Sequence, residues 1–338
     1  MSNPLRPDKF DNIIGQEEII NNLKISVTSA QTRRDVLQHC LFYGNAGLGK
    51  TTIARALANE LGVPIEIANG AVMTTSRDIL PYLMKMERGS ILFIDEVHRV
   101  NKKVQEYMLT VIEDFRLDIV IPATKKDSGE TITIDLPKFC LVGATTEMGE
   151  LVQPFLDRFK LKHFMRFYSS DELLLMLKGN SPKLQANVSG EGLNVIAKAS
   201  RGTPRIANSL LEWVRDYQIA NNIQGLNKEQ VTQAIKMQGI DENGLNPIDR
   251  DYLSALEKLS KESPVGVSTL CSALSLDKNT IEQKIEPWLI QQGYISKTPK
   301  GRILVGDSKD GLERTSQKFH SGRSTHPRCP KSDHLPSS

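Results

Sequence analysis

One eight-residue segment constrains the fold of this chain more than any other feature. Residues 44–51 read Gly-Asn-Ala-Gly-Leu-Gly-Lys-Thr, which fits the pattern GxxxxGK followed by Ser or Thr. A short apolar run at 40–43 precedes the segment, and apolar residues at helical spacing follow it from 52 to 61. Glycines let backbone N–H groups turn toward an anion, and a helix N-terminus adds a partial positive charge at the same place. This order of strand, loop and helix predicts a loop that binds the phosphates of a nucleotide.

Two side chains at the end of this loop have predicted roles. Lys50 is expected to reach the β- and γ-phosphates, and the hydroxyl of Thr51 is expected to ligate magnesium. The alternative interpretation is a glycine-rich turn ahead of an ordinary helix. The loop does not indicate whether the nucleotide is hydrolysed or what its energy drives.

The composition is typical of a globular protein with more than one domain. The chain has 338 residues, more than one core usually organises, with 39% hydrophobic and 25% charged residues. No apolar stretch approaches the roughly 20 residues of a membrane span, and the amino terminus lacks the apolar core of a signal peptide, so we expect a cytoplasmic location. The net charge of +3 is too small to indicate a nucleic-acid partner by itself. The four cysteines are too far apart in sequence for a metal site, and we expect them to be reduced.

Short apolar runs alternate with helical patterns from residue 38 to 167, which is typical of an α/β fold with a parallel sheet. After the run at 40–43, the predicted strands are 65–67, 90–94, 139–142 and 164–167. Two extended segments, 118–121 and 131–134, are joined by a polar stretch and predict a β-hairpin over 118–136. The sequence therefore predicts a sheet domain over 1–168 from which a hairpin projects.

The carboxyl-terminal half contains two smaller predicted domains. Helical patterns replace strands over 169–240, which predicts a small helical domain. Within 241–305, helices at 268–274 and 279–291 precede strands at 294–297 and 302–305, the layout of a winged helix, with Asp277 or Asn279 as the cap of the second helix. The segment 306–338 is rich in Ser, Pro, Lys, Arg and His, and we expect it to be disordered.

A second chemical motif follows the predicted strand at 90–94. Asp95 and Glu96 end that strand, where the second half of a nucleotide site should lie relative to the phosphate loop. We expect Asp95 to hold magnesium through its water shell and Glu96 to accept a proton from the attacking water. The alternative is a strand end whose acids face solvent. Glu96 favours a hydrolytic enzyme over a passive nucleotide switch.

Further catalytic candidates follow along the chain. The segment 143–146, Gly-Ala-Thr-Thr, lies at the end of another apolar strand, where a small polar side chain can orient the same water. Arg158 and Arg205 are candidates for arginines that neutralise charge building on the γ-phosphate. From spacing alone, either arginine could equally be a surface residue.

Taken together, these motifs resemble the RuvB family, the Holliday-junction branch-migration motors of the AAA+ ATPase class. Matching segments lie in all three predicted domains, at 5–7, 13–16, 44–51, 93–99, 113–115, 136–137, 143–146, 157–159, 201–208, 286–291 and 298–302. The resemblance implies an AAA+ parallel-sheet domain, a helical lid and a carboxyl-terminal winged helix. It also implies ATP and Mg²⁺ as cofactors.

The resemblance implies a role for each matching site residue. Residues expected around the nucleotide are Leu5, Arg6, Gly47, Gly49, Lys50, Thr51, Thr52, Glu113, Asp114, Phe115, Tyr168 and Arg205. Thr146 would sense the water, Arg205 would be the sensor arginine from the lid of the same subunit, and Arg158 would enter a neighbour's site. A finger that acts on a neighbour requires a ring.

The implied partners follow from that ring. The family forms a homohexamer around duplex DNA at four-way junctions, binds RuvA through the hairpin at 118–136, and works with the RuvC resolvase. Lys297, Lys300 and Arg302 of the winged helix are expected to contact the DNA backbone without reading sequence.

The chain departs from the family pattern at several positions. Asn45 and Ala46 stand where two prolines are usual, and Glu147 stands where Arg is usual. Lys297 replaces an arginine, which keeps the charge but loses the bidentate fork, and the hairpin tip at 122–128 diverges. Two other functions remain as alternatives: an initiator or clamp-loader type ATPase, and a nucleotide-gated DNA-binding switch.

Overall fold

The computed structural model describes residues 4–121, 130–241, 243–260 and 263–305. These residues form two compact units that divide between Leu245 and Asn246. The first unit contains both the predicted sheet domain and the predicted helical domain, and the second contains the predicted winged helix. The divergent hairpin tip at 122–128 and the predicted disordered segment at 306–338 lie outside the described residues.

Most of the predicted apolar runs form strands. In chain order they are β1 (Cys40–Tyr43), β2 (Ile65–Asn69), β3 (Ile91–Asp95), β4 (Arg116–Ile121), β5 (Glu130–Asp135), β6 (Cys140–Thr145), β7 (Leu161–Phe164), β8 (Ile295–Thr298) and β9 (Gly301–Leu304). Five of them form a parallel sheet in the order β2-β3-β6-β1-β7. The prediction of a parallel sheet is confirmed.

Helices connect and cover these strands. In chain order they are α1 (Glu17–Arg33), α2 (Lys50–Leu61), α3 (Ser76–Leu83), α4 (Lys102–Asp114), α5 (Gln153–Arg158), α6 (Ser170–Lys183), α7 (Gly190–Ala199), α8 (Pro204–Ala220), α9 (Lys228–Met237), α10 (Pro247–Leu259), α11 (Val267–Leu274) and α12 (Glu286–Gln291). None of the helices in the described residues combines the length and apolar character that a membrane span requires.

Side chains of the central strands alternate between two hydrophobic clusters, one on each face of the sheet. Cys40 and Phe42 of β1 pack into the cluster that includes α1, α2 and helices of the helical domain. Leu41 of β1 and Leu92 of β3 pack into the other cluster, with α3, α4 and α5. Because both faces are covered, the central strands are apolar at nearly every position. Burying each large side chain stabilises the fold by about 1.5–3 kcal/mol.

The predicted strand at 164–167 is wrong by three residues. The observed strand is β7, which pairs only with β1 and therefore lies at the edge of the sheet. An edge strand alternates buried and exposed residues: His163 is buried, whereas Lys162 and Phe164 are exposed. The apolar run that follows, from Phe164 onward, does not continue the strand.

The predicted hairpin consists of β4 and β5, which pair antiparallel with Arg116 opposite Asp135. Leu117 is buried, and the hydroxyl of Tyr107 on α4 donates a hydrogen bond to the carbonyl of Asp118 at 3.1 Å. Ile132 is an exposed apolar side chain on β5. The hairpin is therefore fixed at its base to α4.

In the second unit, α10, α11 and α12 precede the antiparallel β8–β9 hairpin. Asp277 caps the helical run that leads to α12, accepting from the backbone N–H of Thr280 at 2.9 Å. The predicted continuous helix at 279–291 instead begins with a π-helical stretch, Thr280–Ile285. Pro287 explains the change, because proline has no N–H and its ring displaces the carbonyl four residues earlier.

Candidate active site

The phosphate loop joins the carboxyl end of β1 to the start of α2. Its first N–H, from Gly44, donates to the carbonyl of Thr145 at 3.2 Å, which ties the loop to the end of β6. Gly49 immediately precedes α2, whose first residue is Lys50. The first N–H groups of a helix have no partners within the helix, so this end of α2 can bind an anion. Thr51 and Thr52 lie in the same first turn, half-buried.

The side chain of Lys50 lies inside the loop and is only 8% exposed. Its Nζ donates to the carbonyls of Gly44 at 2.6 Å and Asn45 at 2.9 Å. Burial lowers the pKa of Lys50 to about 8, and the nearby carboxylates of Asp95 and Glu96 act in the opposite direction. The loop therefore holds a desolvated cation, whose attraction to a phosphate is stronger than that of an exposed lysine.

The acidic pair lies beside the phosphate loop, as the parallel arrangement of the strands requires. The hydroxyl of Thr51 donates to Asp95 Oδ2 at 3.4 Å, and Asp95 Oδ1 accepts from the N–H of Glu96 at 3.1 Å. Hydroxyl and carboxylate oxygens are ligands that Mg²⁺ prefers, and the two side chains converge on one point at the mouth of the loop. The residues present therefore fit a magnesium ion.

Glu96 has an unusual backbone conformation for a residue with a side chain. Its φ of 52° is left-handed, which is costly outside glycine and often found at functional sites. The carboxylate oxygen Oε2 lies 3.5 Å from Nε2 of His98. His98 also lies 3.0 Å from Oγ1 of Thr145 through its Nδ1 atom, and neither His98 nor this contact was predicted from the sequence.

The start of the helical domain packs directly on the phosphate loop. The N–H of Arg205 donates to the carbonyl of Gly47 at 3.4 Å, so this predicted sensor lies at the loop of its own chain. A Cβ atom at Gly47, where φ is 81°, would lie 2.6 Å from Cγ2 of Thr203. Only glycine fits both the turn and this contact.

Tyr168 connects the same two parts of the chain. Its hydroxyl donates to the carbonyl of Leu48 at 3.3 Å, and its N–H donates to the carbonyl of Gly202 at 2.9 Å. Burial raises the pKa of Tyr168 to about 12, so the phenol stays protonated and available as a donor. The structure therefore places Tyr168 between the phosphate loop and the helical domain.

The amino-terminal segment is attached to α2. The N–H of Phe10 donates to Glu60 Oε1 at 3.0 Å, and the side chain of Asn59 donates to the carbonyl of Asp8 at 2.8 Å. Just before this attachment, Leu5 is buried and Arg6 is exposed. Their predicted contact with the nucleotide stays a prediction.

The structure does not bring Glu113, Asp114, Phe115 or Arg158 to the phosphate loop of the same chain. The ring of Phe115 packs against His39 and Phe139, at centroid distances of 6.4 and 5.7 Å. His39 and Phe139 immediately precede β1 and β6, whereas the phosphate loop follows β1. Arg158 forms an ion pair with Glu113. This pair therefore lies at the amino-terminal ends of the strands, whereas the phosphate loop lies at their carboxyl-terminal ends.

Thr146 follows β6 on the same side of the sheet as the phosphate loop and is half-buried. The preceding residue, Thr145, is fully buried and makes the hydrogen bonds at this strand end. Glu147, where the family usually has arginine, donates its backbone N–H to Thr145 Oγ1 at 2.9 Å.

The three basic residues of the wing have different environments. Lys300 is exposed, and Lys297 is exposed but lies 3.3 Å from Glu282. Arg302 is buried, and its guanidinium donates to Glu286 and Glu282 at 2.7 Å each. The prediction that Arg302 contacts DNA does not fit this geometry, because its donors face two carboxylates inside the unit.

The sheet order, the phosphate loop, the adjacent acidic pair and the helical domain that packs on the loop define a P-loop ATPase of the AAA+ class. Three family models match consecutive parts of the sequence: Holliday junction DNA helicase RuvB P-loop domain at 5–165, RuvB AAA lid domain at 168–241, and RuvB C-terminal winged helix domain at 242–313. The chain belongs to the RuvB family.

Known proteins and solved structures are similar to this chain over nearly its full length. The RuvB subunit of the Holliday junction branch migration complex from Campylobacter hominis is 42% identical over 304 residues, covering 90% of this chain and 88% of that protein. The corresponding subunit from Rippkaea orientalis is 41% identical over 314 residues, covering 93% and 87%. The solved structure of the Thermotoga maritima RuvB Holliday junction branch migration motor superposes with a TM-score of 0.80 at 34% identity, covering 93% and 99%.

Proposed function

We propose that this chain is an ATP-driven motor that moves the branch point of Holliday junctions. The observation that carries the proposal is the convergence of Lys50, Thr51, Asp95 and Glu96 at the carboxyl-terminal ends of β1 and β3. The similarity to branch migration subunits supplies the substrate, four-way DNA. A cytoplasmic role in DNA recombination and repair follows from that substrate.

Hydrolysis requires a cation at the phosphates and a base at the water. A water oxygen attacks the γ-phosphorus, the bond from that phosphorus to the β-phosphate oxygen breaks, and Glu96 takes the proton released by the water. Lys50 stabilises negative charge on the phosphate oxygens. Thr51 and Asp95 are the residues to hold Mg²⁺, which supplies further charge neutralisation when bound.

A ring of subunits accounts for the placement of Arg158. This residue lies at the amino-terminal ends of the strands, whereas its own phosphate loop lies at their carboxyl-terminal ends. Arg158 can therefore act only on the nucleotide of a neighbour. Arg205, by contrast, contacts the loop of its own chain through Gly47. We therefore propose a homohexamer in which Arg158, with Glu113 to Phe115, completes each neighbour's nucleotide site.

Partner binding uses surfaces outside the nucleotide site. Lys300 and Lys297 are the exposed basic residues of the wing, which suits contact with DNA phosphates of any sequence. The β4–β5 hairpin, with its exposed Ile132, is the proposed docking site for RuvA. Cooperation with the RuvC resolvase rests on family membership alone.

A synthetic four-way junction tests this function. The chain with ATP, Mg²⁺ and a RuvA partner should move the branch point, and Glu96→Gln should bind ATP normally but lose hydrolysis and migration. Loss of a general base lowers turnover by roughly 10²- to 10⁴-fold. Nucleotide affinity, phosphate release and junction products are measured on the same preparations, with Lys178→Met, an exposed change on α6, as the control.

Two results would contradict the proposal. Unchanged turnover in Glu96→Gln would remove the hydrolytic assignment of the acidic pair. Junction binding without migration would favour an initiator or clamp-loader type ATPase if ATP is hydrolysed, and a nucleotide-gated DNA-binding switch if it is not.

A further inference from the structure

His98 connects the ends of two central strands next to the nucleotide site. It lies in the short 3-10 helix Val97–Arg99, directly after Glu96, and its side chain is only 9% exposed. One ring nitrogen, Nε2, lies 3.5 Å from Oε2 of Glu96, and the other, Nδ1, lies 3.0 Å from Oγ1 of Thr145. The imidazole therefore bridges the end of β3 to the end of β6.

The direction of the hydrogen bond between Thr145 and His98 can be assigned from the groups on either side of it. The backbone N–H of Glu147 can only donate, and it donates to Oγ1 of Thr145 at 2.9 Å. The Thr145 hydroxyl can then donate its own proton to Nδ1 of His98. When Nδ1 accepts this proton, Nε2 carries the ring proton and faces the carboxylate of Glu96. The opposite tautomer would place a lone pair against a carboxylate, which is repulsive.

The backbone of Glu96 is fixed independently of this bridge. A Cβ atom at Gly70 would lie 2.3 Å from the carbonyl oxygen of Glu96, so the two backbones are in close contact. The same carbonyl accepts from the N–H of Arg99 at 2.8 Å. With the left-handed backbone of Glu96 held in this way, the remaining freedom of the residue is the rotation of its side chain.

We propose that His98 is a positioning residue for ATP hydrolysis, which holds the carboxylate of Glu96 toward the attacking water and links it to Thr145 at the end of β6. The inference rests on the proposed hydrolytic role of Glu96. The carboxylate of a glutamate has several rotamers, and a base must lie within hydrogen-bond reach of its proton. A bridge from a buried threonine selects one of these rotamers before the water attacks the γ-phosphorus.

The link to β6 gives the bridge a second consequence. Thr145 is the last residue of β6, the strand that pairs with β1 and β3, and Thr146, the residue proposed to sense the water, follows it directly. A displacement at the end of β6 therefore reaches Glu96 through two side-chain contacts. His98 makes the orientation of the base depend on the position of the residue beside the water sensor.

Two amide substitutions separate the two ends of the bridge. The amide of His98→Asn reaches the position of Nδ1 and keeps the contact with Thr145, whereas that of His98→Gln reaches the position of Nε2 and keeps the contact with Glu96. We expect His98→Asn to lower the kcat of ATP hydrolysis roughly tenfold or more, with the KM for ATP within about twofold of wild type. His98→Gln should recover most of that loss. Lys102→Gln, an exposed change at the start of α4, is the control.

Several outcomes would overturn the inference. An unchanged kcat in His98→Asn, or equal losses in the two amide variants, would show that the contact with Glu96 does not matter. A raised KM at unchanged kcat would indicate a role in nucleotide binding instead. A failure of Glu96→Gln to lower turnover would remove the proposed function itself, whereas normal behaviour of Glu96→Gln beside a silent His98→Asn would remove only the role of His98.

Thr145→Val tests the same bridge from its far end and decides the case if both His98 variants fail to bind nucleotide. The substitution keeps the shape of the side chain but removes the hydroxyl. It should lower kcat by less than His98→Asn, and the double variant should be no slower than His98→Asn alone, because both changes break one chain of contacts. Unchanged turnover in Thr145→Val, or fully additive losses, would contradict the bridge.

Discussion

At the scale of single residues, the phosphate loop buries the ammonium group of Lys50 at a position where the folded protein without nucleotide disfavours its charge. Lys50 is buried among backbone carbonyls, and burial lowers the pKa of Lys50 from 10.5 to about 8. The folded state therefore binds this proton less tightly than the unfolded state does. The resulting loss of stability is roughly 3 kcal/mol; it is complete below pH 8 and declines as the pH rises from 8 toward 10.5.

Lys50→Met is accordingly expected to stabilise the nucleotide-free protein while abolishing ATP hydrolysis. The variant removes a desolvated charge but keeps a side chain of similar length. Its advantage in the free energy of unfolding should be largest at pH 7 and should shrink at pH 9.5, as measured by thermal unfolding at both pH values. Lys178→Met, an exposed lysine in the middle of α6, should show no such dependence on pH. A Lys50→Met protein less stable than wild type at pH 7 would refute the explanation.

At the scale of elements, the wing is held by a buried ion pair. Glu286 is 1% exposed, and it accepts from the guanidinium of Arg302 and, at 3.0 Å, from the hydroxyl of Tyr252. Burial, with the adjacent carboxylate, raises the pKa of that phenol. These contacts join β9 to α12 and α10. The hairpin therefore presents Lys300 from a fixed position.

Arg302→Ala should destabilise the second unit by about 3–5 kcal/mol, because it leaves the carboxylate of Glu286 buried without its cation. The chain has two tryptophans, so a Trp213→Phe background makes Trp288 of α12 the sole fluorescent reporter of this unit in urea unfolding. Lys300→Ala is the matched control on the same hairpin: it should leave unfolding unchanged but weaken junction binding and its salt dependence. Equal unfolding curves for Arg302→Ala and Lys300→Ala would contradict the structural role of Arg302.

The elements that could be predicted from sequence are those whose surroundings are uniform. The strands β1, β3 and β6 are covered on both faces, so each is a continuous apolar run bounded by polar residues. The edge strand β7 lacks a second neighbour, and its alternation through Lys162 and His163 does not stand out from the flanking sequence. The π-helical stretch before Pro287 likewise depends on local backbone geometry, which helical periodicity does not report.

The candidate site likewise contains residues that could be predicted from the sequence and residues that could not. Lys50, Thr51, Asp95 and Glu96 were predictable because each lies at a fixed distance along the chain from a recognisable strand or helix end. The contact of His98 with Thr145 was not, because the two residues are 47 positions apart and meet only when β3 and β6 pair. Nor does sequence show which basic residue of the wing turns inward, since burial of Arg302 depends on carboxylates supplied by other elements.

At the scale of the whole molecule, the residues proposed for the nucleotide site lie at both ends of the parallel strands. The phosphate loop, the acidic pair and Arg205 lie where β1 and β3 end, whereas Phe115 packs on residues that precede β1 and β6. A neighbour that placed its surface with Arg158 and Phe115 against the phosphate loop of this chain would complete the site. Closed rings arise from such head-to-tail contacts, since every subunit then uses both surfaces.

Arg158→Ala subunits mixed with wild type should therefore inhibit the ring out of proportion to their number. If every interface of a hexamer must be intact, one variant subunit in five leaves only about a quarter of the rings fully active. The measurement is the rate of branch migration across a series of mixing ratios, after conditions that allow subunits to exchange. Lys178→Met subunits, mixed in the same way, should leave the rate unchanged. A rate that falls in simple proportion to the wild-type fraction would mean that Arg158 does not act across subunits in a coordinated ring, and the ion pair of Arg158 with Glu113 would then be its structural role within one chain.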